Sequence, residues 1–178
     1  MVWVIRLGHR KIRDQRATTH AALVARAFGA EGMTIFGDDD GAIGNVVGKI
    51  CEEWGGKFLV EFGKGWLDEL KRRKENGETI VHLTMYGEKI EERIGEIRKK
   101  EKCAVVIGSQ KVPAEVYQLA DFNVSVTTQP HSEIAALAIF LDRYFEGAEL
   151  GREFGGKRAI LPSKFGKNVF LCKKHGQI

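Results

Sequence analysis

Two loops of small and polar residues carry the types best suited to gripping a cofactor. Gly108-Ser109-Gln110-Lys111-Val112-Pro113 follows the apolar run Ala104–Ile107, and Thr127-Thr128-Gln129-Pro130-His131-Ser132 follows Phe122–Val126 and leads into an amphipathic stretch. A strand, a small-residue loop and a helix, repeated, is how α/β sheets build ligand sites at the carboxyl ends of their strands. Backbone N–H groups in these loops, and in Leu83-Thr84-Met85 after an earlier apolar run, suit a purine ring and a ribose. Glu133, in the first turn of the following helix, can accept from ribose hydroxyls or a ligand ammonium, or simply complement the helix dipole.

Other chemistries lack their residues. No GxxxxGK[ST] phosphate loop is present, and Gly8 stands after the first apolar run without the other glycines of a dinucleotide fingerprint. Cys51, Cys103 and Cys172 are scattered and odd in number, without zinc-ligand spacing, which fits a reducing cytoplasm. Asp38-Asp39-Asp40 reads as a helix cap and solvated turn, not a metal site. The stretch Arg6–His20 is dense in cations and is the natural source of a group acting on an anionic substrate. Trp3, Trp54 and Trp66 fall in or beside predicted elements and read as core or interface more than as base-stacking platforms.

The elements that must position these loops follow from hydrophobic periodicity. Strands are predicted at Val2–Leu7, Met33–Phe36, Phe58–Phe62, Thr79–Met85, Ala104–Ile107 and Phe122–Val126. Between and after them helices are predicted from Thr18 to Ala30, with Gly8–Arg16 as a loop and the threonines as caps, and over Ala42–Trp54, Trp66–Lys74, Lys89–Lys100, Ala114–Leu119 and Pro130–Phe145, with Pro130 at the first helical position. The alternation defines an α/β fold, a mostly parallel sheet with helices on both faces. It stops near Gly147. From Gly151 to Ile178, Arg152, Lys157, Arg158, Lys164, Lys167, Lys173 and Lys174 oppose Glu153 alone, giving +6, so residues 1–150 sum to −2 within a total of +4. A basic tail on a near-neutral body suits a polyanion such as RNA, or a solvated end. Ala159–Leu161 and Val169–Cys172 read as strands within it. No run is long and apolar enough for a membrane span.

Three long segments, RLGHRKIRDQRATTHAALVARAFGA, VVIGSQKVP and NVSVTTQPHSEIAALAIFLDR, in that order, resemble the archaeal tRNA (cytidine(56)-2′-O)-methyltransferases of the SPOUT class. The resemblance runs from the N-terminus to about Arg143 and continues weakly into the tail. It implies a SPOUT domain over residues 1–148, with a C-terminal deep trefoil knot at about 79–146, and a basic extension over 149–178. It implies S-adenosyl-L-methionine held by Leu83, by Gly108, Ser109, Gln110, Lys111 and Val112, and by Val126, Thr127, Thr128, Gln129, Pro130, His131, Ser132 and Glu133. It also implies a homodimer with sites near the interface, no metal, and a product 2′-O-methylated at cytidine 56 of the tRNA T-loop. In this class an arginine of the first motif is catalytic, and the match here is RDQRATTH: Arg16 first and Arg13 second, with His20 as a candidate base. The Asn-x-Gly common before that arginine is missing. Two alternatives stay open: a SPOUT-class enzyme acting on another RNA nucleotide, and a non-catalytic RNA-binding relative.

Overall fold

The computed structural model describes residues 1–172. Lys173 and Lys174 of the basic tail lie outside the described residues. Strands β1 (Val2–His9), β2 (Gly32–Gly37), β3 (Leu59–Gly63), β4 (Thr79–Lys89), β5 (Cys103–Gly108) and β6 (Phe122–Ser125) form one sheet in the order β3-β2-β1-β5-β4-β6. Every adjoining pair in it is parallel. Helices α1 (Lys11–Ala27), α2 (Gly41–Trp54), α3 (Trp66–Glu75), α4 (Ile90–Ile97), α5 (Ala114–Leu119) and α6 (Glu133–Phe145) cover both faces.

The near-continuous apolar strands follow from that double cover. Along β1, Val2 and Val4 join a core with residues of α1, α2, α4 and α6, including Ala21, Ile43, Ile94 and Phe140. Ile5 and Leu7 enter a second core with Leu70 of α3 and Val116 of α5. Arg6, on the same side as Val2 and Val4 by the alternation of the strand, is also fully buried. None of the described helices is long and apolar enough to cross a membrane.

Three local expectations are corrected. The cation-dense segment is not a loop up to Arg16: α1 begins at Lys11. The Asp14 carboxylate accepts from both the backbone N–H and the guanidinium of Arg10, at 3.1 and 2.8 Å, and Asp38 accepts from the Lys11 N–H at 2.9 Å, which stabilises an early start. Thr18 and Thr19 therefore lie mid-helix and cap nothing; Thr19 donates to the Gln15 carbonyl at 2.8 Å, and His20 is not in a first turn. Pro130 lies outside α6, whose cap is Ser132, accepting from the Ile134 N–H at 3.1 Å. Asp40 does cap α2, accepting from the Ala42 N–H at 3.3 Å.

The tail is folded. Beyond a short 3-10 turn at Ala148–Gly151, β7 (Arg158–Ile160) and β8 (Val169–Leu171) form an antiparallel pair. Gly55 bridges Gly155, Arg158 pairs with Glu53 at 2.7 Å, and the Arg26 guanidinium lies 4.7 Å from the centre of the Phe154 ring.

Phe140 has no exposed surface and packs α6 onto the sheet. Phe140→Ala is expected to lower the unfolding free energy by about 3–5 kcal/mol, measured by urea denaturation.

Candidate active site

A cleft of about 870 Å³ opens outside the carboxyl ends of β4 and β5, within the size range of small-molecule sites. One wall comes from β4, which pairs with β6 at Leu83 and again at Glu88, both opposite Val124. Residues 84–87 therefore leave the ladder, and Thr84, Met85 and Tyr86 line the cleft. Gly87 closes this excursion because a Cβ there would strike the Asn123 backbone. Behind it, the His82 and Tyr117 rings meet edge to face at 4.6 Å. Asn123 Oδ1 lies 2.9 Å from His82 Nδ1, its amide donates to the Tyr117 carbonyl at 2.9 Å, and the Tyr117 hydroxyl lies 3.0 Å from Thr84 Oγ1. The opposite wall is the loop after β5, folded so tightly over Gly108 that a Cβ there would collide with the Val112 side chain.

Glu133 reaches the cleft from the first turn of α6 and is held from below by Arg6, whose Nη2 donates to Oε1 at 3.1 Å. Arg6 Nε donates to the Thr18 hydroxyl at 2.8 Å, and that hydroxyl lies 2.9 Å from His9 Nδ1. With Thr18 accepting from Arg6, its own proton is available to Nδ1, and the neutral imidazole then carries its proton on Nε2, 3.8 Å from Asp40. Burial pulls the Arg6 guanidinium below its ordinary value against the raising pull of Glu133, and it stays protonated. Arg6 Nη1 is buried without a partner.

Of the cofactor residues expected from sequence, Leu83, Gly108, Gln110, Lys111, Val112 and Glu133 line the cleft. Ser109 turns to β1 instead, its hydroxyl donating to the Leu7 carbonyl at 3.2 Å and to that of Gly8. Val126, Thr127, Thr128, Gln129, Pro130, His131 and Ser132 do not line it. Thr127 Oγ1 accepts from the Gln129 N–H at 3.3 Å, and His131 Nδ1 lies 2.6 Å from the Gln129 carbonyl. Arg13, Arg16 and His20 sit exposed on α1, and none lines the cleft. Among the residues that sequence reasoning missed are Arg6, His9, Thr18, His82, Tyr86, Tyr117 and Asn123. The available signal, for two of them, was an ionisable residue flanked by apolar ones inside a strand: Arg6 between Ile5 and Leu7, and His82 between Val81 and Leu83.

The residues fit a bound nucleoside-type cofactor: a roomy cleft with an apolar and aromatic lining, a fixed carboxylate, and an orphaned guanidinium nitrogen beneath it. The fold is that of the SpoU/TrmH methyltransferases. It is similar to SpoU methyltransferase AviRb from Streptomyces viridochromogenes, solved in complex with AdoMet, with a TM-score of 0.59 at 14% identity over 85% of this chain. The match spans 59% of the AviRb chain. The A. aeolicus TrmH/SpoU tRNA modifying enzyme matches with a TM-score of 0.59 at 14% identity, over 86% of this chain and 79% of its own. A family model described as tRNA ribose 2′-O-methyltransferase, aTrm56, matches residues 54–170. The tRNA (cytidine(56)-2′-O)-methyltransferase of Methanothrix thermoacetophila is 52% identical over 94% of this chain and 96% of its own. That of Nitrosopumilus maritimus is 52% identical over 95% and 96%. The chain belongs to the aTrm56 family of tRNA ribose 2′-O-methyltransferases.

Burial draws the His9 and His82 imidazoles below their ordinary value of 6.5. Around and below that pH the unfolded chain binds protons that the folded chain refuses, so stability falls as pH falls. Denaturant unfolding followed from pH 7 to pH 5.5 should show that decline. The slope should be shallower in the His9→Gln, His82→Gln double variant.

Proposed function

We propose that this protein methylates the ribose 2′-hydroxyl of cytidine 56 in the tRNA T-loop, with S-adenosyl-L-methionine as donor. The observation that carries this reading is identity of about half over nearly the whole of both chains with tRNA (cytidine(56)-2′-O)-methyltransferases. When bound, the donor supplies an electrophilic methyl group on a sulfonium, and displacement at such a centre needs no metal.

The task left to the protein is alignment and easing the loss of one hydroxyl proton; a near-attack geometry can contribute about 7–11 kcal/mol in the best cases. Leu83, Gly108, Gln110, Lys111, Val112 and Glu133 are the residues assigned to hold the donor, with Glu133 accepting from its ribose hydroxyls or its ammonium. The loop from Val126 to Ser132, which lies outside the cleft in this structure, is assigned to complete that site around the donor. Residues 79–146 are assigned to a deep trefoil knot, against the general rule that chains do not thread loops. Residues 1–148 form the methyltransferase domain and 149–178 a basic extension that contacts tRNA or the partner subunit.

Arg16, and after it Arg13, is assigned to clamp a substrate phosphate and stabilise the developing alkoxide, with His20 as the candidate base. The protein works as a homodimer in the cytoplasm. What supports the dimer is that α1 carries these cations away from the cleft of its own chain, beside a fully exposed Ile12, while Tyr86 at the cleft is 77% exposed. A second copy docked through these surfaces brings α1 to the donor.

The test uses purified protein, unmodified tRNA transcript and methyl-labelled donor, with nuclease mapping. Label on the ribose of cytidine 56 is expected; no donor binding at all would sink the reading. In the same assay Arg16→Ala should lower kcat by about 10²–10³-fold, as removal of one charge-stabilising donor does, with donor affinity unchanged. An unchanged pH–rate profile in His20→Ala would remove that residue from the mechanism. Affinity for tRNA should fall steeply from low to moderate salt as phosphate contacts are screened.

A further inference from the structure

The sheet reverses its direction of growth between β1 and β5: the chain builds outward through β2 and β3, then returns to set β5 against the other side of β1. Ligands of open α/β sheets collect at such points, outside the carboxyl ends of the strands. The large cleft is displaced from it, towards β4 and α5. Beside the switch point, over the carboxyl ends of β1 and β2, lies a second, smaller pocket of about 230 Å³. Leu7 and Gly8 of β1, Phe36 and Gly37 of β2, and Trp66 at the start of α3 form three sides. The fourth is the loop after β5, and its residues Gln110, Lys111 and Val112 line both cavities.

The pocket is about a quarter of the volume of its neighbour, too small to duplicate the cofactor site. Its chemistry is two aromatic rings, one amide and one cation. Phe36 is buried, whereas Trp66 is only partly covered by the core beneath it and keeps surface towards the pocket. Gly8 has φ +75°, and the Gln110 amide nitrogen lies 3.2 Å from where a Cβ would stand, so the amide lies close over a floor without a side chain. Such a lining suits a flat, uncharged heteroaromatic ring with a hydrogen-bonding edge, attached to an anionic backbone that Lys111 meets at the rim.

We infer that this pocket receives the base of the nucleotide being modified, stacked against Trp66, while its ribose crosses the wall at Gln110–Val112 towards the cofactor cleft. The inference rests on the tRNA reading above. It adds a substrate-binding role to Trp66, whose inner side packs against the second core as the sequence-based reading expects, and it predicts an energetic coupling between one ring of the protein and one ring of the RNA.

That coupling is measured by a double-mutant cycle. Wild type and Trp66→Ala are each assayed on tRNA transcript and on the same tRNA made abasic at position 56, which keeps the 2′-hydroxyl and lacks the base. On cytidine-bearing tRNA, Trp66→Ala is expected to lower kcat/KM about tenfold or more, the scale of one lost base–aromatic stack. On abasic tRNA the same substitution should cost less than about threefold, since the partner ring is already gone. Trp66→Phe should keep most of the activity, and donor affinity should be unchanged in both variants. Equal losses on both tRNAs, or none on either, overturn the pocket assignment while the wild-type label on cytidine keeps the methyltransferase reading. If Trp66→Ala does not fold, the wild-type pair decides, and an undiminished rate on abasic tRNA overturns the assignment. No wild-type label on any tRNA overturns both readings together.

Discussion

A guanidinium with no exposed surface sits in the middle of β1, and the site is built around the partners of two of its three nitrogens. A charge in that position is tolerated only with partners of good geometry, and breaking such a pair by removing one member costs about 3–5 kcal/mol. Arg6 takes its partners from two helices far apart in the chain, Thr18 of α1 and Glu133 of α6, 12 and 127 residues away. Total stabilities of single domains are about 5–15 kcal/mol, so this one side chain has a large say in how α1 and α6 seat on the sheet. The cleft inherits the result. Glu133 stands at its edge on the first turn of a helix, fixed from below, and so presents a carboxylate with little freedom left to lose on binding.

The layered sheet was legible because its signals are redundant. VWVIRLGH and CAVVIG are runs of strand length rich in β-branched residues, and each is followed, after a polar loop, by a stretch of helical period, so an error at one boundary leaves the alternation standing. The start of α1 was not legible, because nothing in the periodicity of KIRDQRATTH marks Lys11. The decision is made by Asp14 reaching back to Arg10 and by Asp38 reaching across from the far end of β2. The Asp14–Arg10 pair is local, at i,i+4 spacing, whereas the Asp38–Lys11 contact, 27 residues apart, leaves no trace in spacing. The same holds for the cleft: the loop after β5 could be read as a ligand loop from its small residues, whereas the wall of His82, Asn123, Tyr117 and Thr84 exists only once β4 and β6 are paired beside α5. An arginine or histidine embedded in an apolar strand was the one clue available, and it marks residues that must be satisfied internally.

The excursion of β4 shows how backbone geometry converts a strand into a binding wall. A regular ladder would have set Thr84 opposite Ser125, the last residue of β6, and carried Met85 and Tyr86 straight on past the end of that strand, with side chains alternating in direction. Leaving the ladder after Leu83 and returning at Glu88 turns those residues outward over the carboxyl end of the sheet. The return requires a residue without a Cβ against Asn123, and Gly87 supplies it. Local disruption of pairing at the edge of a site is a recurrent device in sheets, because it redirects side chains without disturbing the core beneath them.

One loop then serves two cavities. Gln110, Lys111 and Val112 separate the cleft over β4 from the pocket over β1 and β2, and the loop is anchored on both flanks, by Ser109 to the carbonyls of β1 and by the tight approach of Val112 to Gly108. A methyl transfer needs two reactants held at a fixed separation and angle, and misplacement of about 1 Å can cost about a hundredfold in rate. Independent loops for donor and acceptor would let their relative position drift with each loop's own motion. With the donor in the cleft and the acceptor base in the pocket, as proposed, a shared wall removes that freedom, since any shift that moves one reactant moves the boundary of the other. The small pocket is therefore better placed than any site on the exposed faces of the helices to hold the acceptor in register with the donor.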